Sequence, residues 1–209
     1  MIKKIPKPTV ERYCRLYSFL EDLDKKGVEK VQSSELGQLL GVPGFTIRKD
    51  LSFIGRDGES TRSYNVVKLK ELIGSYFQFD KKRNACVVGL GRIGSALLAY
   101  SNFEPQGFNI VAGFEDSINR LELIKSDINV YPVYQLEDVI VREKIEIALV
   151  AVPADSAQNV TDRLVTAGVN GVLNFAPVFL SVPQHIVVKN VDLTNMLREI
   201  VAFKELNIQ

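Results

Sequence analysis

Three glycines in one short segment have the spacing of a phosphate-binding turn. Gly89, Gly91 and Gly94 follow the pattern Gly-x-Gly-x-x-Gly between an apolar run at 85–88 and a stretch of helical character at 95–101. Glycines in this order allow a tight turn and let the backbone approach a pyrophosphate, while the following helix start offers amide donors. The strand–turn–helix context favours a dinucleotide site. The residues that we predict to contact the dinucleotide here are Gly89, Leu90, Gly91, Arg92, Ile93 and Gly94.

A carboxylate follows at the distance expected for a ribose contact. Glu115 comes 21 residues after Gly94, at the end of an apolar run at 110–114, and Asp116 follows it. A carboxylate at this place accepts hydrogen bonds from ribose hydroxyls and repels a 2′-phosphate, which favours NAD(H) over NADP(H). Glu115 alone would be interpreted as a solvated strand end, but the glycines upstream indicate NADH and NAD+ as cofactors.

A second set of residues is suited to nucleic acid. Residues 1–83 hold 17 Lys and Arg against 11 Asp and Glu, a net charge of +6, and the rest of the chain has a net charge of −5. This asymmetry fits a polyanion-binding module joined to another domain, or simply charge scatter between two domains. Arg48 and Lys49 are suited to base or phosphate contacts, since bidentate Arg–guanine pairing is the commonest specific contact.

Helical patterns around Arg48 predict a helix-turn-helix. The pattern at 10–23 predicts one helix, Ser33 and Ser34 begin a second, and a third follows the turn at 41–44. In such a pair the later helix enters the major groove. The alternative is that Arg48 and Lys49 only solvate a surface helix. The apolar face predicted for the second helix comprises Leu36, Leu39 and Leu40.

Residues 55–66 are rich in turn formers and then β-prone, which predicts a hairpin wing beside the third helix. Arg56 and Arg62 could contact phosphate or enter the minor groove. Tyr64 and Lys68 mimic a catalytic Tyr-x-x-x-Lys pair, but they precede the glycine motif, so we interpret them as a wing strand entering a helix. The predicted DNA-binding residues are Ser33, Ser34, Phe45, Thr46, Arg48, Lys49, Ser52, Arg56, Arg62 and Tyr64.

Alternating strand and helix patterns fill the rest of the chain after a polar linker at 80–84. Runs at 145–152 and 172–175 predict two further strands, with Asp155 and Gln158 as a capping box for the helix between them. This alternation predicts a parallel sheet with ligands at the carboxyl ends of its strands. The residues at those ends that we add to the predicted cofactor site are Val152, Pro153, Asn174, Ala176 and Pro177.

The fold class is therefore α/β, with three predicted parts. Residues 1–80 form a winged-helix DNA-binding domain, 84–190 a Rossmann-like parallel-sheet domain, and 191–209 a terminal helix. This helix is too short to be stable alone and must pack on its own chain or on a second copy. Its apolar residues include Leu193, Leu197, Ile200 and Val201.

Composition excludes other classes of protein. The chain has 209 residues, of which 46% are hydrophobic and 24% charged, and no apolar run approaches the roughly 18 residues that span a bilayer. No apolar signal region follows the first lysines, so we expect a cytoplasmic protein. Cys14 and Cys86 are expected to be buried thiols, and the absence of a Cys/His cluster predicts no metal site.

Over nearly its whole length the chain resembles one family, the redox-sensing repressors called Rex. The most specific strings are Arg-Lys-Asp-Leu-Ser at 48–52 and Asn-Phe-Ala-Pro at 174–177. The chain departs from the family pattern at Asp57, Thr61 and Ser63, and Arg92 stands where Asn is usual, either to pair with pyrophosphate or to face solvent. Further matching strings are Ile5-Pro6, Arg12, Tyr64-Asn65-Val66, Val152-Pro153-Ala154 and Asn190-Val191-Asp192-Leu193.

The resemblance implies a homodimeric repressor of operator DNA that senses the NADH/NAD+ ratio. It implies that the terminal helix is swapped between subunits and that NADH lies between the paired dinucleotide domains. NADH would change the angle between the subunits and release the DNA, whereas NAD+ would compete without release. It also implies a switch network of Arg12, Tyr134 and Asp192.

The alternative is an NAD-dependent dehydrogenase with an accessory N-terminal domain. It would need a proton-relay residue near the nicotinamide. The single histidine, His185, falls in a predicted strand, where a surface or strand-edge role is expected. A ligand-free Rossmann domain is a further alternative, and the intact glycines and Glu115 argue against it. We predict no catalytic residues.

Overall fold

The computed structural model describes residues 5–55 and 63–206, and the chain divides into two compact units, Met1–Lys81 and Lys82–Gln209. The predicted wing residues Arg56 and Arg62 lie outside the described residues. Among the helices of the described ranges, none has the length and apolar character needed to cross a membrane.

The first unit is a helical domain with a small two-stranded sheet, and it contains the predicted helix-turn-helix. Each helix contributes to one buried core, for example Tyr13, Leu36, Ile47 and Ile73. The helices are α1 (Lys7–Lys25), α2 (Ser33–Leu40), α3 (Gly44–Leu51) and α4 (Val66–Phe77), and the strands are β1 (Lys30–Gln32) and β2 (Ser63–Asn65).

Close contact between α2 and α3 depends on two glycines. A Cβ atom on Gly37 would lie 2.4 Å from the carbonyl oxygen of Val42, and one on Gly44 would lie 2.9 Å from the carbonyl oxygen of Ser33. Larger residues at either position would push the two helices apart. The helix-turn-helix geometry is thus built into these positions.

The predicted wing strand is present at β2, and it leads directly into α4. It pairs antiparallel with β1, where Val31 lies opposite Tyr64. Asn65 caps α4 by accepting a hydrogen bond from the Lys68 backbone N–H at 2.9 Å. Tyr64 and Lys68 are therefore strand and helix residues, as interpreted. Strand β1 was not predicted, because a three-residue strand is too short to show alternation of apolar and polar residues.

Two expectations about burial are wrong. Leu39 is 42% exposed, because the short α2 buries Leu36 and Leu40 and turns Leu39 to the side. Cys14 is exposed, because it follows Tyr13 and so points about 100° away from the buried face of α1. Cys86 is buried as expected, and burial raises the pKa of its thiol to about 12.

The second unit is built around a sheet of six parallel strands. The strands are β3 (Arg83–Val88), β4 (Phe108–Glu115), β5 (Val130–Pro132), β6 (Ile147–Val150), β7 (Gly171–Asn174) and β8 (Val187–Asn190), and the helices are α5 (Arg92–Leu98), α6 (Ile118–Leu121), α7 (Leu136–Glu143), α8 (Ala154–Thr166) and α9 (Leu193–Glu205). The strand order in the sheet is β5-β4-β3-β6-β7-β8. Ala85 and Val87 of β3 face one core and Cys86 and Val88 face the other, so helices cover both sides.

The order of the strands creates a crevice. The chain winds outward from β3 in one direction through β4 and β5, and in the other through β6, β7 and β8. The order reverses between β3 and β6, and in open parallel sheets ligands bind beyond the strand ends at such a reversal. The glycine motif follows β3 directly and lies at this point.

Two local predictions in this unit need correction. The predicted linker at 80–84 overlaps β3, whose first residues include Asn84, and the Asn84 side chain donates a hydrogen bond to the Glu143 carbonyl at 2.7 Å. Asp155 does not cap α8, because the N-cap residue is Pro153. Gln158 instead donates to the Asp162 carboxylate at 2.7 Å.

Candidate nucleotide-binding and DNA-binding sites

The three glycines of the motif have different physical roles. Gly89 has a φ of +86°, and a Cβ atom there would lie 2.7 Å from Val152. A Cβ atom on Gly94 would lie 1.8 Å from the carbonyl oxygen of Gly89. Gly91 has a φ of −67°, and none of the described atoms lies within 4 Å of its added Cβ. Packing within the chain explains why Gly89 and Gly94 are glycines. Nothing in the described chain requires a glycine at Gly91, and only a ligand in the open space beside it would do so.

A cleft of about 730 Å³ opens beside Gly91, at the carboxyl ends of the central strands. Its size lies within the range of small-molecule and cofactor sites, which is roughly 300–1,000 Å³. Most of the predicted cofactor residues line it. These are Gly89, Gly91, Ile93, Glu115, Asp116, Val152, Pro153 and Pro177.

Glu115 is held at the edge of this cleft with 5% of its surface exposed. Its carboxylate accepts hydrogen bonds from the backbone N–H groups of Leu90 at 2.9 Å and Ser117 at 3.1 Å, and the Arg120 guanidinium lies 3.8 Å away. An ionised carboxylate has about four lone-pair sites. Glu115 therefore fixes the glycine turn to β4 and keeps acceptor capacity for two ribose hydroxyls.

Five predicted cofactor residues lie outside the cleft lining that the described residues form. Asn174 is buried and donates to the carbonyl oxygens of Ala176 at 3.2 Å and Val178 at 2.9 Å, and to the Asn190 side chain at 2.9 Å. These bonds shape the loop that brings Phe175 and Pro177 into the cleft. The five residues are Leu90, Arg92, Gly94, Asn174 and Ala176.

Arg92, the residue that departs from the family pattern, begins α5. Its side chain is exposed, and it is absent from the cleft lining within the described ranges. The structure therefore places this side chain at the surface, and its role in cofactor binding stays a prediction.

One face of α8 lines the cleft, and its residues were not predicted from the sequence to belong to the site. Ser156, Asn159 and Arg163 recur at helical spacing on this face. Arg163 donates to both carboxylate oxygens of Glu137, at 2.6 and 2.7 Å, which raises the pKa of Arg163 and lowers the pKa of Glu137. The spacing of these polar residues after Pro153 was a signal that could have identified them.

The helix α3 presents the predicted DNA-contacting side chains. Phe45, Lys49 and Ser52 are exposed, and Arg48 is half-buried. Arg48 donates a hydrogen bond to the Ser33 hydroxyl at 2.9 Å. Ser33 is itself buried, so it orients Arg48 and does not face solvent.

Three other residues predicted to contact DNA differ in how exposed they are. Ser34 is exposed, while Thr46 and Tyr64 are half-buried. The Tyr64 hydroxyl is buried, and no hydrogen-bond partner for it occurs among the residues that the structure describes.

Asp50 fastens α3 to α1. Arg12 donates to both of its carboxylate oxygens, at 2.6 and 2.8 Å, and the Thr9 hydroxyl donates at 3.0 Å. The Tyr13 hydroxyl donates to the Asp50 carbonyl. The hydrogen bonds from Arg12 to the Asp50 carboxylate raise the pKa of the Arg12 guanidinium. Because Asp50 is buried, the pair fixes the position of the helix that carries Arg48.

The three residues of the predicted switch network belong to both units. Arg12 is engaged by Asp50, and Asp192 caps α9 by accepting from the Asn195 N–H at 2.9 Å. Tyr134 is 75% exposed. The network stays a prediction about the assembled protein.

Replacing Asp50 by alanine is expected to destabilise the first unit by about 2–3 kcal/mol, because Arg12 and Thr9 lose a charge-assisted partner. Urea denaturation of the full chain, monitored by circular dichroism, measures this decrease in the free energy of unfolding. Arg12→Ala should cost a similar amount, and the double variant should cost little more than either one. Asp22→Ala, at an exposed position of α1, is the control. Additive losses from Asp50→Ala and Arg12→Ala would contradict the pairing.

Two family models match the chain. The model described as "Putative DNA-binding protein N-terminus" matches residues 4–52, and the model described as "CoA binding domain" matches residues 80–178. The first covers α1, α2 and α3, and the second covers the sheet from β3 to β7. The predicted order of an N-terminal DNA-binding domain and a Rossmann-like domain is confirmed.

Curated relatives align over almost the whole chain. The redox-sensing transcriptional repressor Rex of Carboxydothermus hydrogenoformans is 40% identical over 191 residues, which are 91% of this chain and 92% of that protein. The Rex of Limosilactobacillus fermentum is 38% identical over 205 residues, 98% of this chain and 95% of that protein. Both are named repressors, which supports the prediction of a non-enzyme over the dehydrogenase alternative.

Solved structures of a Rex-family repressor, RSP, have the same fold. RSP in complex with beta-NADH superposes with a TM-score of 0.85 at 34% identity, covering 96% of this chain and 93% of RSP. RSP in complex with beta-NAD+ and operator DNA gives a TM-score of 0.87 at 34% identity, with 98% of both chains covered. Sequence identity, coverage and fold agree, and this chain belongs to the Rex family of redox-sensing transcriptional repressors.

Proposed function

We propose that this protein represses transcription by binding operator DNA through α3, and that NADH bound in the cleft of the second unit releases the DNA. The observation that carries the proposal is the open space at Gly91, beside a carboxylate positioned for ribose, in a chain that also has a helix-turn-helix. RSP, which shares the fold, has been solved with NADH and with NAD+ and operator DNA.

The cleft wall supports preferential binding of the reduced cofactor. Val152, Val160, Phe175 and Pro177 give part of the lining an apolar character. NAD+ carries a positive charge on its nicotinamide ring and NADH does not, and burial of a charge against apolar groups is unfavourable. Contact of the ring with these residues would therefore favour NADH.

We further propose that the protein acts as a homodimer in the cytoplasm. The helix α9 has 13 residues, and none of them is buried by the described part of its own chain. A helix of this length is marginal alone, and its exposed apolar residues would be covered by a second copy, in line with the predicted swap. These residues include Leu193, Leu197, Ile200 and Val201.

Placing aspartate at both Leu197 and Ile200 is expected to convert the dimer to monomers and to weaken operator binding at least tenfold, because the charges would lie in an apolar interface. Sedimentation equilibrium measures the mass, and fluorescence anisotropy measures binding. Leu123→Asp changes an exposed leucine elsewhere and serves as the control. A dimer that survives the double substitution would exclude this face of α9 as the interface.

The direct test of function is anisotropy of labelled inverted-repeat DNA titrated with NADH, NAD+ or coenzyme A. We expect tight binding at moderate salt, release by NADH, and no release by the other two compounds. Linkage requires that operator DNA lowers NADH affinity by the same factor by which NADH lowers DNA affinity. DNA binding that ignores NADH would overturn the sensing role, and release by coenzyme A alone would assign the cleft to a different nucleotide.

A further inference from the structure

Phe45 is an exposed aromatic residue on a polar helix face. It is the second residue of α3 and is 62% exposed, and its ring is not among the described residues that pack on the core of the first unit. Lys49 and Ser52 follow it at intervals of one and two helical turns and are also exposed. Single exposed apolar residues are common on proteins, so exposure alone does not indicate a function for Phe45. Its position on the predicted recognition helix does.

The amino-terminal turn of a recognition helix is the part that approaches base edges in the major groove. Base edges there carry hydrogen-bond donors and acceptors, and thymine alone adds a methyl group. A phenyl ring offers no hydrogen bond, so it would leave the donors or acceptors of other bases unpaired. The thymine methyl is the apolar group in the groove that the ring can bury with a favourable free energy.

We propose that Phe45 selects a thymine in the operator by packing on its C5-methyl group. This inference rests on the proposed function of α3 in DNA binding. Arg48 lies three residues further along, about 4.5 Å along the helix axis, and is held by Ser33. Because base pairs are spaced by about 3.4 Å, the thymine lies within one or two base pairs of the base that Arg48 contacts.

The test begins with an operator selected from random-sequence DNA by the wild-type protein. Each thymine is then replaced in turn, in both half-sites, by deoxyuridine, which lacks only the methyl group. Burial of one methyl-sized group contributes roughly a fourfold change in affinity, so two half-sites give roughly a 15-fold change. We expect this loss for one thymine position with the wild-type protein.

The Phe45→Ala variant should bind the thymine and deoxyuridine operators equally well. Its thermal denaturation followed by circular dichroism should match that of the wild-type protein, which shows that the first unit is folded, because the Phe45 ring is exposed. Its affinity for NADH should also equal the wild-type value, since the cleft belongs to the second unit. The proposal is overturned if no thymine position is sensitive, or if the same position remains equally sensitive in the variant. Failure to select any sequence would overturn the proposed function itself, and this inference with it.

Discussion

Replacing Arg48 by alanine is expected to weaken specific operator binding strongly and to leave NADH affinity at the wild-type value. A bidentate Arg–guanine pair contributes about 1–3 kcal/mol, so its loss from both half-sites of a dimer lowers affinity by roughly 30-fold or more. The cofactor cleft belongs to the other compact unit, so its binding free energy should not change.

The measurement is DNA anisotropy together with an NADH titration on the same preparation. Arg15→Ala removes an exposed arginine from α1 and is the matched control for net charge. It should cause only the small loss expected from weaker long-range attraction. If Arg48→Ala loses DNA and NADH binding together, the variant is misfolded or the two sites are not separate, and the assignment of Arg48 to base contact fails.

Replacing Gly91 by alanine is expected to produce the opposite result, namely weaker NADH binding by at least tenfold with normal operator binding in the absence of nucleotide. Its φ of −67° is accessible to alanine, and the described atoms leave its Cβ position open. The chain should therefore fold normally. The added methyl group would occupy the space through which the backbone approaches the pyrophosphate.

Calorimetric titration with NADH and thermal denaturation measure the two expected effects. Gly171→Ala is the matched control, because its Cβ would make an ordinary 3.5 Å contact with Ile147 in the same sheet. Gly94→Ala is not suitable, since its Cβ would lie 1.8 Å from the Gly89 carbonyl oxygen. An unchanged NADH dose response in Gly91→Ala, or an equal loss in Gly171→Ala, would exclude the glycine turn as the cofactor site.

These two variants test whether one chain holds two separable binding sites. Each unit has its own core and its own candidate site. A repressor that responds to NADH must couple them, and coupling appears as a change of DNA affinity with nucleotide, not as a change in either site alone. The Arg48 and Gly91 variants should each lose one affinity and keep the other, and both should lose the NADH-dependent release of DNA.

Local patterns in the sequence were enough to predict most elements of both units. The glycine turn, Glu115 and the alternating strands follow from residues within about 30 positions of one another, the length of one strand–helix–strand unit. The helix-turn-helix follows from apolar periodicity around Gly41 and Gly44 in the same way. Two strands were predicted incompletely. Strand β1 is too short to show a pattern, and the polar residues at the start of β3 were interpreted as a linker.

Only the tertiary structure decided which side chains face the cleft or the solvent. Asn174 and Ser33 are polar residues at the right places along the chain, yet the fold buries both and uses them to orient Phe175 and Arg48. Arg163 enters the cleft because α8 packs across the sheet. Burial depends on which distant segments meet, and a one-dimensional pattern specifies the direction of a side chain but not its neighbours.

The pairing of Arg12 with Asp50 shows the same limit. The two residues are separated by 38 positions, and nothing in either local pattern connects them. By itself, the sequence determined that the chain carries a DNA-binding helix pair and a dinucleotide turn, because both are built from short segments. The tertiary structure decided that α3 is held against α1 by the partly buried Arg12–Asp50 ion pair, and that no residue of α9 is buried by the described part of its own chain. Both facts depend on contacts between distant parts of the chain.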